Sequence, residues 1–251
     1  MIYAQLIFAF ALGAIIGSFL NVIIYRVPRG ESIVYPGSHC PACEKALSFW
    51  MLVPILSYLL LKGRCGHCGE LYSPYYFWVE LITGLLFALI LLGYGFTWES
   101  LFHGLLVAIL LAITLIDWKH YIIPDSLNGA IALLALIGIF AGITIPLTQA
   151  LLGALVGGGF LLLVALVFPQ GMGGGDVKMV FALGLITGWQ WVLLLLFLAS
   201  LLGSIYGIIN ILHKGREEGR MIPFGPFLVT AALITIHWGD ELVALYTGLL
   251  L

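Results

Sequence analysis

The sequence predicts an all-α polytopic membrane protein of about eight transmembrane helices, with a small cytoplasmic zinc-binding domain between the first and second. Three observations carry that prediction. Of 251 residues, 62% are hydrophobic and 9% charged, against about 45–50% and about 25% in a soluble domain. The apolar residues gather in runs near the length, about 20 residues, that crosses a bilayer. The polar residues concentrate in one early stretch that also holds all four cysteines, Cys40, Cys43, Cys65 and Cys68. A mean hydropathy of +1.14 excludes a disordered chain, which needs low hydrophobicity and high charge. A net charge of −2 leaves no basic field to hold nucleic acid; the expected surroundings are membrane lipid.

The first apolar run, 3–25, has no basic segment before it and no small-x-small cleavage signature after it. It reads as a retained helix, ended by Arg26, Pro28 and Arg29. Residues 26–74 form the main polar stretch. Within it, 49–61 is apolar but interrupted by Pro54 and too short to span, so it is expected at the interface or inside the small domain. Further spans read as 75–93, 98–116, 126–142 and 148–168. The run 177–212 is too long for one crossing and is divided at Gly188-Trp189-Gln190-Trp191, since tryptophans favour membrane interfaces. The last span is 222–238, followed by Gly239, Asp240, Glu241 and a short apolar tail. The expected domains are a first helix over 1–25, a zinc domain over 26–74 and a seven-helix membrane domain over 75–251.

The basic residues support a count of eight. Arg26, Arg29, Lys45, Lys62, Arg64, Lys119, Lys178, Lys214, Arg216 and Arg220 all fall at connections 1–2, 3–4, 5–6 and 7–8. The positive-inside rule makes that side cytoplasmic and puts both termini outside.

Cys40-Pro-Ala-Cys43 and Cys65-Gly-His-Cys68 are 21 residues apart. Two such pairs can present four thiolates tetrahedrally, the arrangement of structural Zn²⁺, and a cytoplasmic position disfavours disulfides. His39 and His67 flank these cysteines as alternative ligands, although loop histidines of this kind are usually solvent-exposed.

Ionisable residues near a bilayer are costly and point to function. Asp117 ends the third span and Asp176 begins the sixth, after Gly171-Met172-Gly173-Gly174-Gly175. Two aspartates within a few ångströms share one proton, which is the chemistry of aspartic proteases. Glycines without Cβ allow a neighbouring helix or a substrate strand to approach. The plainer reading has each aspartate capping or flanking a helix and pairing with Lys119 or Lys178. Asp125, after Pro124, fits an N-cap of the fourth span and stands as a third candidate. Glu80 lies inside the second span and needs a partner or a wet cleft; Asp240 and Glu241 read as solvated end residues.

These residues resemble those of the type IV prepilin peptidases, membrane aspartic proteases of type IV pilus and type II secretion systems. The resemblance runs through Gly17-Ser18-Phe19-Leu20-Asn21-Val22, Tyr25-Arg26-Val27-Pro28, the two cysteine pairs and Val79-Glu80-Leu81. It continues through Asp117 to Ile123-Pro124-Asp125, the GxGD motif at Gly173-Gly174-Gly175-Asp176, and Ile222-Pro223-Phe224-Gly225-Pro226. It implies that Asp117 and Asp176 are the catalytic pair. The implied substrates are prepilins or pseudopilins with a basic leader and an apolar helix, cut after a glycine at the cytoplasmic face of the bacterial inner membrane. It also implies N-methylation of the new amino terminus with S-adenosylmethionine, whose binding residues no pattern here identifies. Other readings are a transporter with a cytoplasmic zinc domain, a non-catalytic assembly factor, or a GxGD protease of different substrate. A transporter is expected to place its acids near the bilayer midplane.

Overall fold

Helices dominate the computed structural model, which describes residues 2–169, 171–214 and 222–250. They are α1 (Ile2–Arg26), a short α2 (Leu56–Leu60), α3 (Pro74–Tyr94), α4 (Trp98–His120), α5 (Asp125–Phe140), α6 (Leu147–Val167), α7 (Gly174–Lys214) and α8 (Gly225–Leu250). The described residues contain no strand, only two isolated bridges. Arg216 and Arg220, two of the basic residues that supported the helix count, lie outside the described residues.

Among the described residues, six helices can cross a membrane by length and composition: Ile2–Arg29, Pro74–Tyr94, Trp98–His120, Leu147–Val167, Gly174–His213 and Gly225–Leu245. This makes an all-helical, multi-pass membrane protein. The difference from eight has two sources. Helix α5 is apolar but only 16 residues long. Helix α7 runs 41 residues and is broken at Gly188, where φ is 78° and ψ is 174°. That left-handed φ suits a residue without Cβ, and it falls on the Gly-Trp-Gln-Trp interruption seen in the sequence. Trp238 makes a similar break in α8, with φ −135° and ψ 17°, at the position expected to end the last span.

The chain divides into two compact units, Met1–Ala108 and Ile109–Leu251. In the first, α1 lies antiparallel to α3, with glycines at the contact. A Cβ on Gly13 would stand 2.7 Å from the Thr83 carbonyl oxygen, and one on Gly17 would stand 2.9 Å from Glu80 Cα. Without a hydrophobic drive between helices in lipid, such close backbone approach is what holds them. Asn21 adds a hydrogen bond from Nδ2 to the Tyr76 carbonyl at 3.1 Å. Ser73 caps α3, accepting the Tyr75 N–H, with Pro74 in the first turn.

Arg26 is buried, and its guanidinium donates to the carbonyls of Ser32, Pro36 and Gly37 at 2.9, 2.7 and 3.4 Å. It thereby folds the chain after α1 back on itself, a structural use of a residue that in sequence only ends a span. The apolar piece around Pro54 forms a 3₁₀ turn (Phe49–Leu52) and α2, with Phe49 and Trp50 largely exposed.

In the second unit, α6 and α7 meet backbone to backbone. A Cβ on Gly153 would lie 2.3 Å from the Gly184 carbonyl oxygen, and one on Gly157 would lie 2.4 Å from Val192 Cγ2. Helix α4 extends past the expected end at 116 to His120, so Asp117 sits inside its last turn. Tyr121 then takes φ 57° and its N–H bonds the Asp117 carbonyl at 2.9 Å, a left-handed stop for the helix.

Candidate active site and cysteine cluster

Asp117 is 4% exposed. Its Oδ2 accepts the backbone N–H of Gly225 at 2.9 Å. Gly225 opens α8, and the first N–H groups of a helix have no partner within the helix, so the carboxylate supplies one. The same glycine is needed sterically, since a Cβ there would stand 2.7 Å from Oδ2. An aromatic chain reinforces this junction: Trp118 of α4 packs on Tyr206 of α7 at 5.8 Å, and Tyr206 on Phe227 of α8 at 5.5 Å.

Asp176 is half-buried in the first turn of α7. Its Oδ2 accepts the Gly173 N–H at 3.1 Å, one half of a capping box. Asp117 lies near enough for its charge to act on Asp176. The structure therefore brings the two sequence-predicted aspartates into one neighbourhood, at the N-terminal ends of α7 and α8, where helix dipoles favour carboxylates.

The three glycines before Asp176 do different work. A Cβ on Gly173 would lie 2.8 Å from Asp176 Oδ2, and one on Gly175 would lie 3.0 Å from both Cβ and the carbonyl oxygen of Ile123. Gly174 faces open space. The Gly175 carbonyl accepts a hydrogen bond from Asn128 Nδ2 at 3.2 Å. Asn128 and the role of Gly225 escape the sequence reading. The signal for Asn128 was a polar residue one turn into an otherwise apolar span.

Asp125 does not N-cap α5. Pro124 occupies the cap position, without a side-chain hydrogen bond, and Asp125 is the first helical residue. A proline ahead of the helix leaves the aspartate one position too far in to cap, and its carboxylate instead takes Lys178 Nζ at 2.8 and 2.7 Å. Glu80 is buried and accepts the Ile55 N–H at 2.7 Å. That bond ties the loop before α2 to α3 and answers the need for a partner. Asp240 is exposed, as expected for an end residue.

The four cysteines converge, their sulfur atoms all lying within 4.8 Å of one another. Two matching knuckles produce this. Cys40 N–H bonds the Lys45 carbonyl and Glu44 N–H returns to the Cys40 carbonyl, at 3.0 and 2.8 Å. Cys65 and Gly69 repeat the pattern with the Glu70 and Cys65 carbonyls, at 2.8 and 2.9 Å. Glu44 and Gly69 each take a positive φ, 56° and 74°, to close the turn. The thiols are free, and Cys40 and Cys68 sulfurs are 3.8 Å apart. Four sulfurs around a tetrahedral Zn²⁺ at 2.3 Å would stand about 3.8 Å apart, so the donor set fits a metal ion.

The electrostatics of the thiols agree with that fit. The Cys68 and then the His67 backbone N–H hold the Cys65 thiol down at about 6. Cys68 is helped by the Glu70 N–H, yet desolvation and the neighbouring sulfurs push it up to about 12. A cation among the sulfurs would remove that conflict. His39 and His67 are exposed and do not belong to the cluster.

Residues 11–94 match the Bacterial Peptidase A24 N-terminal domain, and residues 104–208 match the Type IV leader peptidase family. The chain is 35% identical to a Prepilin leader peptidase/N-methyltransferase of Pseudomonas aeruginosa, over 94% of this chain and 91% of that protein. It is 34% identical to the protein of that name from Aeromonas salmonicida, over 100% and 96%. The Neisseria gonorrhoeae counterpart is 35% identical over 93% and 90%. No solved structure matches. With this identity along nearly its whole length, the chain belongs to the type IV leader peptidase family.

Proposed function

We propose that this protein cleaves the leader from type IV prepilins and pseudopilins, using Asp117 and Asp176 as the catalytic pair, and N-methylates the new amino terminus. The observation that carries the cleavage reading is that these two carboxylates lie within range of each other's charge, each held by a backbone N–H at the N-terminus of α8 or α7. One carboxylate takes a proton from a water molecule as the water oxygen attacks the scissile carbonyl carbon. The other, protonated, gives its proton to the carbonyl oxygen, so that the tetrahedral intermediate is a neutral gem-diol. On collapse the C–N bond breaks, the nitrogen takes the proton that the first carboxyl gained from water, a hydroxyl of the intermediate returns its proton to the second carboxylate, and the leader leaves with a new carboxyl group. The Gly225 and Gly173 N–H groups keep one oxygen of each aspartate oriented, leaving the rest of each carboxyl for this work.

Methylation is proposed from the names of the relatives, and S-adenosylmethionine supplies the methyl group. The four cysteines are proposed to hold one structural Zn²⁺ within the domain 26–74, between a first helix over 1–25 and a membrane peptidase domain over 75–251. Counting α5 and both halves of α7 gives the eight crossings that put every lysine and arginine on the cytoplasmic side, with both termini outside. The dyad and the cysteine domain then face the cytoplasm of the bacterial inner membrane, where a basic leader lies.

The test is cleavage of a prepilin-like substrate by the purified full-length protein in detergent. Wild type, Asp117→Asn and Asp176→Asn are compared, and the product terminus is read by mass spectrometry with and without S-adenosylmethionine. Each Asn variant is expected to lose at least about 10³-fold in rate while unfolding at the wild-type temperature. Wild-type product is expected to gain the mass of one CH₂ only when the methyl donor is present. Cutting by both Asn variants would refute the dyad, and a wild type that never cuts would refute the peptidase reading.

A further inference from the structure

A groove of about 530 Å³ runs along α7 between α5 and α6. Its floor and walls are mostly apolar, and Asp125 and Lys178 stand at its edge. Two features of its lining have no explanation among the described residues. Gly129 of α5 and Gly159 of α6 both line it, and a Cβ on either would meet nothing within 4 Å. A glycine inside a helix costs roughly 1 kcal/mol relative to alanine. Elsewhere in α6 that cost is offset by contact, as at Gly153 and Gly157; at these two positions none of the described residues uses the bared backbone.

The second feature is Asn128, which also lines the groove. It is 5% exposed and its Nδ2 holds the Gly175 carbonyl, but its Oδ1 is buried and has no hydrogen-bond partner among the described residues. Buried acceptors are nearly always satisfied, so this oxygen awaits a donor. Its position is informative. Gly175 directly precedes Asp176, and Val177 and Lys178, which directly follow it, line the same groove.

We infer that this groove receives the substrate's apolar helix beside the scissile bond, with Asn128 Oδ1 accepting a backbone N–H from the segment that unwinds for cleavage. The inference rests on the peptidase reading above. Size agrees: a helix about 10 Å across, rising 5.4 Å per turn, occupies about 420 Å³ per turn, so the groove seats about one turn. Bare glycine backbone is the surface against which helices pack closely in lipid. A helix that starts to unwind exposes N–H groups that must find acceptors where no water is present, and Asn128 offers one next to the dyad. The occupant is therefore a peptide helix; an acyl chain has no N–H to give.

The test fills the groove from its own glycines. Gly129→Leu and Gly159→Leu place side chains in open space, so the fold is expected to hold, which thermal unfolding checks. Two substrates are compared: a full-length prepilin-like protein and a short peptide that ends before the apolar helix. For each variant the ratio of kcat/KM for the full substrate to that for the short peptide is expected to fall at least tenfold, mainly through KM. A ratio equal to that of wild type overturns the inference. As a readout independent of turnover, p-benzoylphenylalanine at position 155, which also lines the groove, is irradiated in the Asp176→Asn background with the full substrate present. Cross-links to the substrate's apolar segment are expected; cross-links only to lipid, or only to a second copy of this chain, overturn it. Wild type that cuts neither substrate refutes the peptidase reading instead, and the cross-link still decides the groove.

Discussion

The Asp117 carboxylate and the Gly225 N–H meet at 2.9 Å although 108 residues separate them in sequence. One atom of side chain thus fixes where α8 begins relative to the last turn of α4. Gly225→Ala puts a Cβ 2.7 Å from Oδ2, too close for the carboxylate to stay. Because it is the carboxylate that must turn away, the fold is expected to survive and the site is not. Misplacing a reacting group by about 1 Å costs about 10²-fold. Gly225→Ala is therefore expected to lower kcat for cleavage by about that factor with little change in unfolding temperature, as steady-state kinetics and a thermal melt on the same preparation will read.

Asp125 and Lys178 pair through both carboxylate oxygens, but the side chains are 70% and 57% exposed. Exposed pairs contribute about 0–1 kcal/mol. Asp125→Asn and Lys178→Gln are each expected to change stability by no more than that, and to cost far less activity than Asp176→Asn. If Asp125→Asn instead silences cleavage as completely as Asp176→Asn, Asp125 belongs to the catalytic pair and the present assignment is wrong.

Some of this architecture is legible in the sequence because its cause is local. Apolar runs set the helices, Gly188 among tryptophans marks the break in α7, and paired cysteines at short spacing mark the cluster. The aspartates were legible because a charge at a membrane edge needs a reason. Partners were not. That Arg26 would bind three loop carbonyls depends on how residues 32–37 fold back over it. Lys178 choosing Asp125, and Gly225 choosing Asp117, depend on which helices become neighbours, which no single span encodes. The Asp125 cap failed for a related reason, since Pro124 moved the helix start by one residue.

The α6–α7 seam has no room for a methyl group. A Cβ on Gly153 would lie 2.3 Å from the Gly184 carbonyl oxygen, and one on Gly184 would lie 2.5 Å from that of Gly153. These contacts are with backbone, so no side chain can rotate to relieve them. Gly153→Ala is expected to destabilise the protein by about 1–3 kcal/mol, the range for overpacked sites. Gly159→Ala, six residues along the same helix and facing open space, is expected to leave stability unchanged or slightly raised. Melting temperatures of the two variants in one detergent test the contrast, and equal losses would refute the backbone contact.

The cysteine knuckles approach each other at their sulfurs, with Cys40 and Cys68 Sγ 3.8 Å apart. Each is closed by three backbone hydrogen bonds of its own, and the chain between them holds only short 3₁₀ and α-helical turns. A metal ion at the centre would therefore cross-link two turns that lie 21 residues apart along this segment. Stripping zinc with a chelator, or Cys40→Ser, is expected to release one zinc per chain, measured by elemental mass spectrometry. Residues 38–72 should then become cleavable by added protease. Helix content should stay near its original value, because α1 and α3 meet through Gly13, Gly17 and Gly84 and not through the cysteines. Circular dichroism beside the proteolysis pattern separates these effects. Absence of zinc in protein purified without chelator, together with a protease-resistant 38–72 segment, would mean that the four sulfurs serve no metal.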